Sequence, residues 1–221
     1  MTKATHLRLL LARHGETEWN RAGRYQGRGD PPLSTTGEAQ ACRLGALLRG
    51  AGVGIIVSSA LRRAWDTAQF IGDALGLPVL GDDRLAEVGY GEWEGLRQAD
   101  IKQRWPDLLR QWKRFPGDAR APGGESLVEA RERLLGFVRH PPWQGRDPSG
   151  AVLLVTHSAI IRIARLEAER QPWAAFREVG IAPASLYRCG LMGDRLVAAT
   201  ACLEAHAAGE SGVCPAETGS L

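Results

Sequence analysis

With 221 residues, 44% of them hydrophobic and 24% charged, the chain has the apolar content of one α/β core and enough charge to stay soluble. A net charge of +3, with the 28 lysines and arginines scattered, gives no basic tract for nucleic acid, and no apolar run approaches the ~20 residues that span a bilayer. Four cysteines without a CxxC spacing, and an opening "HLRLLLAR" too short and too interrupted for a signal core, lead to the expectation of reduced thiols in a cytoplasmic protein.

In chain order, Leu7 to Ala12 reads as a first buried strand. Thr35 with Glu38 reads as a capping box opening a helix to about Arg49, where Gly50 and Gly52 stop it. Gly54 to Val57 is a second strand, and Leu61 to Leu75 a helix ended by Gly76 and Pro78. A weaker helical stretch from Ile101 to Trp112, broken near Pro106, suits a small cap over the core. Ser126 with Glu129 caps a helix that Pro141 and Pro142 bring to an end. Ala151 to Val155 is a third strand, followed by a helix over 158–170. "ASLYRC" and "RLVAATACL" around "GLMGD" predict a hairpin at one sheet edge. From Glu204 the composition predicts a disordered tail, so one domain is expected over 1–203 and the tail over 204–221. Alternating strands and helices predict a three-layer α/β sandwich, its mainly parallel sheet covered by helices on both faces.

The positions of the polar residues carry the functional argument. Arg13 and His14 follow the first strand, Ser58 and Ser59 the second, and His157 the third, with Ser158 opening the next helix. Parallel strands deliver such residues to one sheet edge, where ligands bind. Helix amino termini arriving there add N–H groups and partial positive charge. The expected ligand is a phosphate or similar anion.

Six segments then stand in order: "ARHGETEWN" at 12–20, "QGRGDPPLSTTGEAQA" at 26–41, "SSALRRAWDTA" at 58–68, "LAEVGYGEWEG" at 85–95, "GGES" at 123–126 and "VTHSAIIR" at 155–162. Together they resemble the histidine phosphatase superfamily, which includes cofactor-dependent phosphoglycerate mutases. The resemblance implies that His14 attacks phosphorus and becomes phosphohistidine. It implies that Arg13, Arg63 and His157 hold the phosphoryl oxygens, that Asn20, Gln26, Gly27 and Ser158 complete the substrate site, and that Glu87 protonates the leaving oxygen. Nearby arginines keep an imidazole unprotonated and stabilise charge in transfer, which agrees with those roles. The family commonly has His-Gly where this chain has His157-Ser158; a serine there still caps a helix, and a slightly altered pocket is expected. The family's S-x-L-x-R-A spacing selects Arg63, leaving Arg62 for the rim.

His14, His157 and Glu87 match metal-ligand types, but two nearby arginines argue against a cation, so neither metal nor cofactor is expected. His6, His140 and His206 lie outside the motifs and read as structural. Trp93 suits packing beneath the acid loop, and Trp105 and Trp112 suit the substrate mouth. Mutases of the family tend to carry a longer insertion before the second histidine, so the resemblance, with its compact stretch from Gly95 to Gly123, implies a phosphatase over a mutase. The motif set as a whole most resembles the broad-specificity and α-ribazole phosphatase-like members. A phospho-ligand-binding protein without turnover is the third reading. The expected partner is a small phosphate ester, with neither nucleic acid nor membrane; a homodimer is left open. Substrate choice is expected to rest on cap residues between Leu96 and Ala121, where Arg97, Lys102, Arg104 and Arg110 suit either a polyanionic substrate or a solvated helix face.

Overall fold

Leu9 and Leu11 turn to one side of the first strand, Leu10 and Ala12 to the other, and all four are buried. Strand geometry alternates side chains in this way, so a sheet with both faces covered reads as a continuous apolar run. The computed structural model describes residues 6–117, 119–144, 148–178 and 180–199. The tail expected from Glu204 lies outside the described residues.

Among the described residues six strands form one sheet: β1 (His6–Arg13), β2 (Val53–Ser58), β3 (Val79–Gly81), β4 (Ala151–Thr156), β5 (Leu186–Met192) and β6 (Arg195–Ala198). Their spatial order is β3-β2-β4-β1-β5-β6. The first four run parallel, while β5 and β6 are antiparallel and form the expected edge hairpin. β3 was not anticipated, because three residues are too few to show a period.

The described residues also form seven α-helices: α1 (Glu18–Arg21), α2 (Thr35–Leu48), α3 (Arg62–Leu75), α4 (Gln98–Arg104), α5 (Pro106–Arg114), α6 (Leu127–Arg139) and α7 (Ser158–Glu169). Leu44 and Leu48 of α2 and Ala64, Ala68 and Ile71 of α3 pack with Leu10, Ala12, Leu153 and Val155 on one face. α6, α7 and the cap formed by α4 and α5 pack with Leu9, Leu11, Val152 and Leu154 on the other. Pro106 occupies the first turn of α5, where its missing N–H costs nothing, so it separates two short helices.

Ser126 and Glu129 form the predicted capping box. At α2 the cap is Ser34, one residue before the predicted Thr35, because the Ser34 hydroxyl accepts the N–H of Gly37 at 3.1 Å. Cys189 is buried and free, and burial pushes its thiol up to about 12. Cys42 is disulfide-bonded, which departs from the expectation of reduced thiols. Among the described residues no helix is long and apolar enough to cross a membrane.

Candidate active site

The sheet's own hydrogen bonding fixes the site. At the carboxyl end of β1 the N–H of His14 donates to the carbonyl of Thr156 at 3.0 Å, and beyond β2 the N–H of Ser59 donates to Val155 at 2.9 Å. β4 lies between β1 and β2, so His157 emerges between His14 and Ser59. The rings of His14 and His157 are 5.1 Å apart, and both residues are buried.

His14 is held in one tautomer. Its Nδ1 lies 2.7 Å from the carbonyl oxygen of Gly15. A carbonyl only accepts, so Nδ1 carries the proton and the lone pair of the neutral ring is on Nε2. Burial, and after it Arg13 and Arg63, hold the His14 imidazole well below its ordinary value, so the neutral form prevails. The turn after His14 is equally constrained. Gly15 donates to Thr67 Oγ1 at 3.0 Å, and a side chain on Gly37 would overlap the carbonyl of Glu16, so the start of α2 sits directly on this turn.

Arg63 is completely buried in the first turn of α3. It donates to the carbonyls of Gly29 at 2.7 Å and Gly27 at 2.8 Å. Gly27 has φ +54, and a side chain there would overlap Glu94. Arg13 donates to the carbonyl of Ile181, and burial above all lowers its guanidinium to about 10. Arg13 Nε, Arg63 Nε and His157 Nδ1 are buried without a hydrogen-bond partner. Buried donors are normally satisfied, so the two partnerless arginine Nε groups, on residues that line the same cavity, leave unmet donor capacity that an oxyanion there could meet. The other ring nitrogen of His157, Nε2, lies 2.8 Å from Ser59 Oγ. Burial first, then Arg63, depresses the His157 imidazole well below its ordinary value.

Asn20 and Gln26 present donors by elimination. Asn20 Oδ1 accepts from the N–H of Thr17 at 3.1 Å in the α1 capping box, and Gln26 Oε1 accepts from Thr17 Oγ1 at 3.0 Å. Each amide nitrogen then remains for the cavity, which both residues line. Glu87, nearly buried, follows the 3-10 turn Asp83–Leu85. Its Oε1 accepts its neighbour Val88's N–H at 3.0 Å, and Oε2 lies 3.4 Å from both Ser158 Oγ and the N–H of Ala159 at the start of α7.

Arg13, His14, Asn20, Gln26, Gly27, Arg63, Glu87 and Ser158 all line one cavity of about 250 Å³. A family model of the histidine phosphatase superfamily (branch 1) matches residues 9–202. The chain belongs to the histidine phosphatase superfamily. It is 36% identical over 156 residues to phosphoserine phosphatase 1 of Hydrogenobacter thermophilus, covering 71% of this chain and 73% of that one. It is 40% identical over 162 residues to glucosyl-3-phosphoglycerate phosphatase of Mycobacterium tuberculosis, covering 70% and 71%. A solved mycobacterial glucosyl-3-phosphoglycerate phosphatase in complex with inorganic phosphate superposes with a TM-score of 0.76 at 32% identity, over 91% of this chain and 98% of that one.

In this member of the superfamily, eight of the nine residues expected at the site line the cavity, and His157 does not. It stands behind His14, wholly buried. Arg62 points away, pairing with Asp66 at 3.4 Å. Trp93 is fully buried, and Trp112 lines the cavity while Trp105 does not. The cap cations Arg97, Lys102, Arg104 and Arg110 are exposed and absent from the cavity wall, as the solvated-face reading has it and not the polyanionic-substrate one. Their helices turn Ile101, Leu109 and Trp112 inward, which puts the intervening charged positions in solvent.

Sequence reasoning missed Arg24, Tyr25, Tyr90, Arg162, Phe176 and Arg177 on the wall. Arg162 was within reach, since it stands one turn after Ser158 on the same helix face. Glu94 was missed too. It accepts the N–H groups of Arg28 at 2.8 Å, Tyr90 at 2.9 Å and Gly29 at 2.9 Å, tying the 26–30 loop to the acid loop. Among the described residues, no group of three or more His, Cys, Asp and Glu is placed to hold a metal ion.

Proposed function

We propose that the protein is a phosphomonoesterase that passes the phosphoryl group of a small metabolite through His14 to water. The reading rests on one observation: a neutral imidazole with its lone pair on Nε2, two arginines with partnerless Nε groups, and a carboxylate line a single cavity. In the first step Nε2 of His14 bonds to phosphorus, the ester P–O bond breaks, and the proton of Glu87 goes to the leaving oxygen. In the second, water attacks the phosphohistidine, the N–P bond breaks, and Glu87 takes back a proton. Arg13 and Arg63, with Asn20 and Gln26, stabilise the equatorial oxygens. His157 assists from behind through Nδ1. If the Ser59 hydroxyl, which already accepts the N–H of Leu61 at 3.3 Å, donates to Nε2, the proton stays on that orphaned nitrogen.

Hydrolysis is favoured over mutase chemistry by the cap, whose two helices have only seven and nine residues, and by relatives that carry phosphatase names. Release of inorganic phosphate from p-nitrophenyl phosphate by the intact protein, and its loss in His14→Ala, tests the reading. No release by the intact protein would sink it. Rapid interconversion of 3- and 2-phosphoglycerate in the presence of a bisphosphorylated primer would move the assignment to a mutase.

A further inference from the structure

Glu87 has to give up a proton and take one back, yet most of what surrounds it can only donate. The N–H of Val88 is 3.0 Å from Oε1 and that of Ala159 is 3.4 Å from Oε2. An amide N–H bonds an ionised carboxylate oxygen and offers nothing to the hydrogen of a protonated one. Arg13 and Arg63, within reach of the charge of Glu87, likewise carry donors alone. The positive end of α7 faces the same carboxylate through Ala159, its second residue.

Ser158 differs in kind. As the first residue of α7 it is placed by the end of β4, and its Oγ lies 3.4 Å from Oε2. Ser158 and Glu87 both line the cavity. A hydroxyl donates through its hydrogen and accepts through its lone pairs, and it changes part by turning about one bond. Among the described residues hydrogen-bonded to the Glu87 carboxylate, Ser158 alone brings an acceptor. The shorter amide bond is at Oε1, which leaves Oε2, beside Ser158, as the oxygen to carry the proton.

We propose that Ser158 is a positioning residue for the acid. Its hydroxyl donates to Oε2 while Glu87 is ionised and turns to accept from Oε2 once Glu87 is protonated. The proton is thereby kept on the oxygen beside the cavity, where the leaving oxygen of the ester replaces Oγ as its acceptor. When Glu87 takes a proton from water in the second step, the hydroxyl turns back to accept. Serine itself neither gains nor loses a proton. This role rests on the phosphatase reading for the reaction it serves.

Steady-state kinetics on glycerol 3-phosphate and p-nitrophenyl phosphate test it, because an alkyl leaving oxygen needs the proton far more than a nitrophenolate does. Ser158→Ala is expected to lower the ratio of alkyl to aryl kcat by about tenfold or more. Ser158→Thr, which keeps a hydroxyl, is expected to hold that ratio within about threefold of the intact protein. With Glu87→Gln already in place, Ser158→Ala is expected to move the ratio by less than about twofold, since no acid proton is left to hold. Partial loss of the fold lowers both rates together and leaves the ratio where it was. A ratio unmoved by Ser158→Ala, a threonine variant as impaired as the alanine one, or an equal further drop beside Glu87→Gln would overturn the role. Those results leave the phosphatase reading standing so long as the intact protein releases phosphate from these esters; release from neither overturns both.

Discussion

His14 and His157 face each other with ring centroids 5.1 Å apart and planes tilted by 57°, both buried beneath the field of Arg13 and Arg63. Neither ring gains from protonation in that setting. Burial and the arginines depress both imidazoles, so the pair stays neutral well below the ordinary value of about 6.5.

That depression sets a pH dependence. In the unfolded chain these histidines take up protons near pH 6.5, while in the folded protein they do so only at lower pH. Stability is therefore fully present above about pH 6.5 and is lost as pH falls from there towards the folded values. Thermal melts between pH 7.5 and pH 5 are expected to show a falling Tm, less steeply in His157→Asn. The acid limb of kcat/KM is expected well below the ordinary imidazole value; a limb centred at about 6.5 or higher would contradict a depressed His14.

Glu87→Gln separates acid catalysis from binding. An alkyl leaving oxygen needs a proton and a nitrophenolate scarcely does, so the loss is expected to be ~10²–10⁴ for glycerol 3-phosphate and far smaller for p-nitrophenyl phosphate. Equal losses on both substrates would assign Glu87 some other part.

Arg63→Lys tests the buried clamp. A lysine cannot hold the carbonyls of Gly27 and Gly29 together and still present a donor to phosphate. Kinetics are expected to show kcat/KM down by about 10²–10³, and denaturant unfolding a loss of about 1–3 kcal/mol. Arg62→Lys, on the exposed side of the same turn, serves as the comparison.

Arg133 of α6 braces the acid loop from behind. It donates to the carbonyls of Arg84 and Ala86, both at 2.8 Å, and pairs with Glu125, which also accepts the N–H of Gly89 at 3.2 Å. Arg133→Met leaves those groups unpaired in a mostly buried place, and a loss of about 2–4 kcal/mol is expected. Because Glu87 loses its support, the activity ratio between alkyl and aryl phosphates should shift in the direction given by Glu87→Gln. A merely structural arginine would lower Tm without moving that ratio.

Much of this was legible in the residues. Apolar runs such as "LLLA" and "AVLLV" mark strands covered on both faces, and Ser126 with Glu129 states its helix start within four positions. Arg13 and His14 could be picked out because strand ends are local features, and local features survive in a linear pattern, whereas Arg63 was told from Arg62 only by the family resemblance. Ser34 was overlooked because two threonines follow it, and only the reach of its hydroxyl to Gly37 decides among the three. β3 was too short to announce itself.

The sequence by itself determined the identity of the groups and the strand ends from which they come, because alternation, capping and breaker residues act over a few positions. Tertiary structure alone decided which cations share the cavity. Arg97, Lys102, Arg104 and Arg110 look suited to an acidic substrate, yet the inward packing of Ile101, Leu109 and Trp112 turns them to solvent. Arg162 and Arg177 belong to separate segments and reach the wall because the rings of Phe176 and Trp112 carry them there. Charge is written into the chain residue by residue, but the side of a helix it occupies follows from which neighbours are buried.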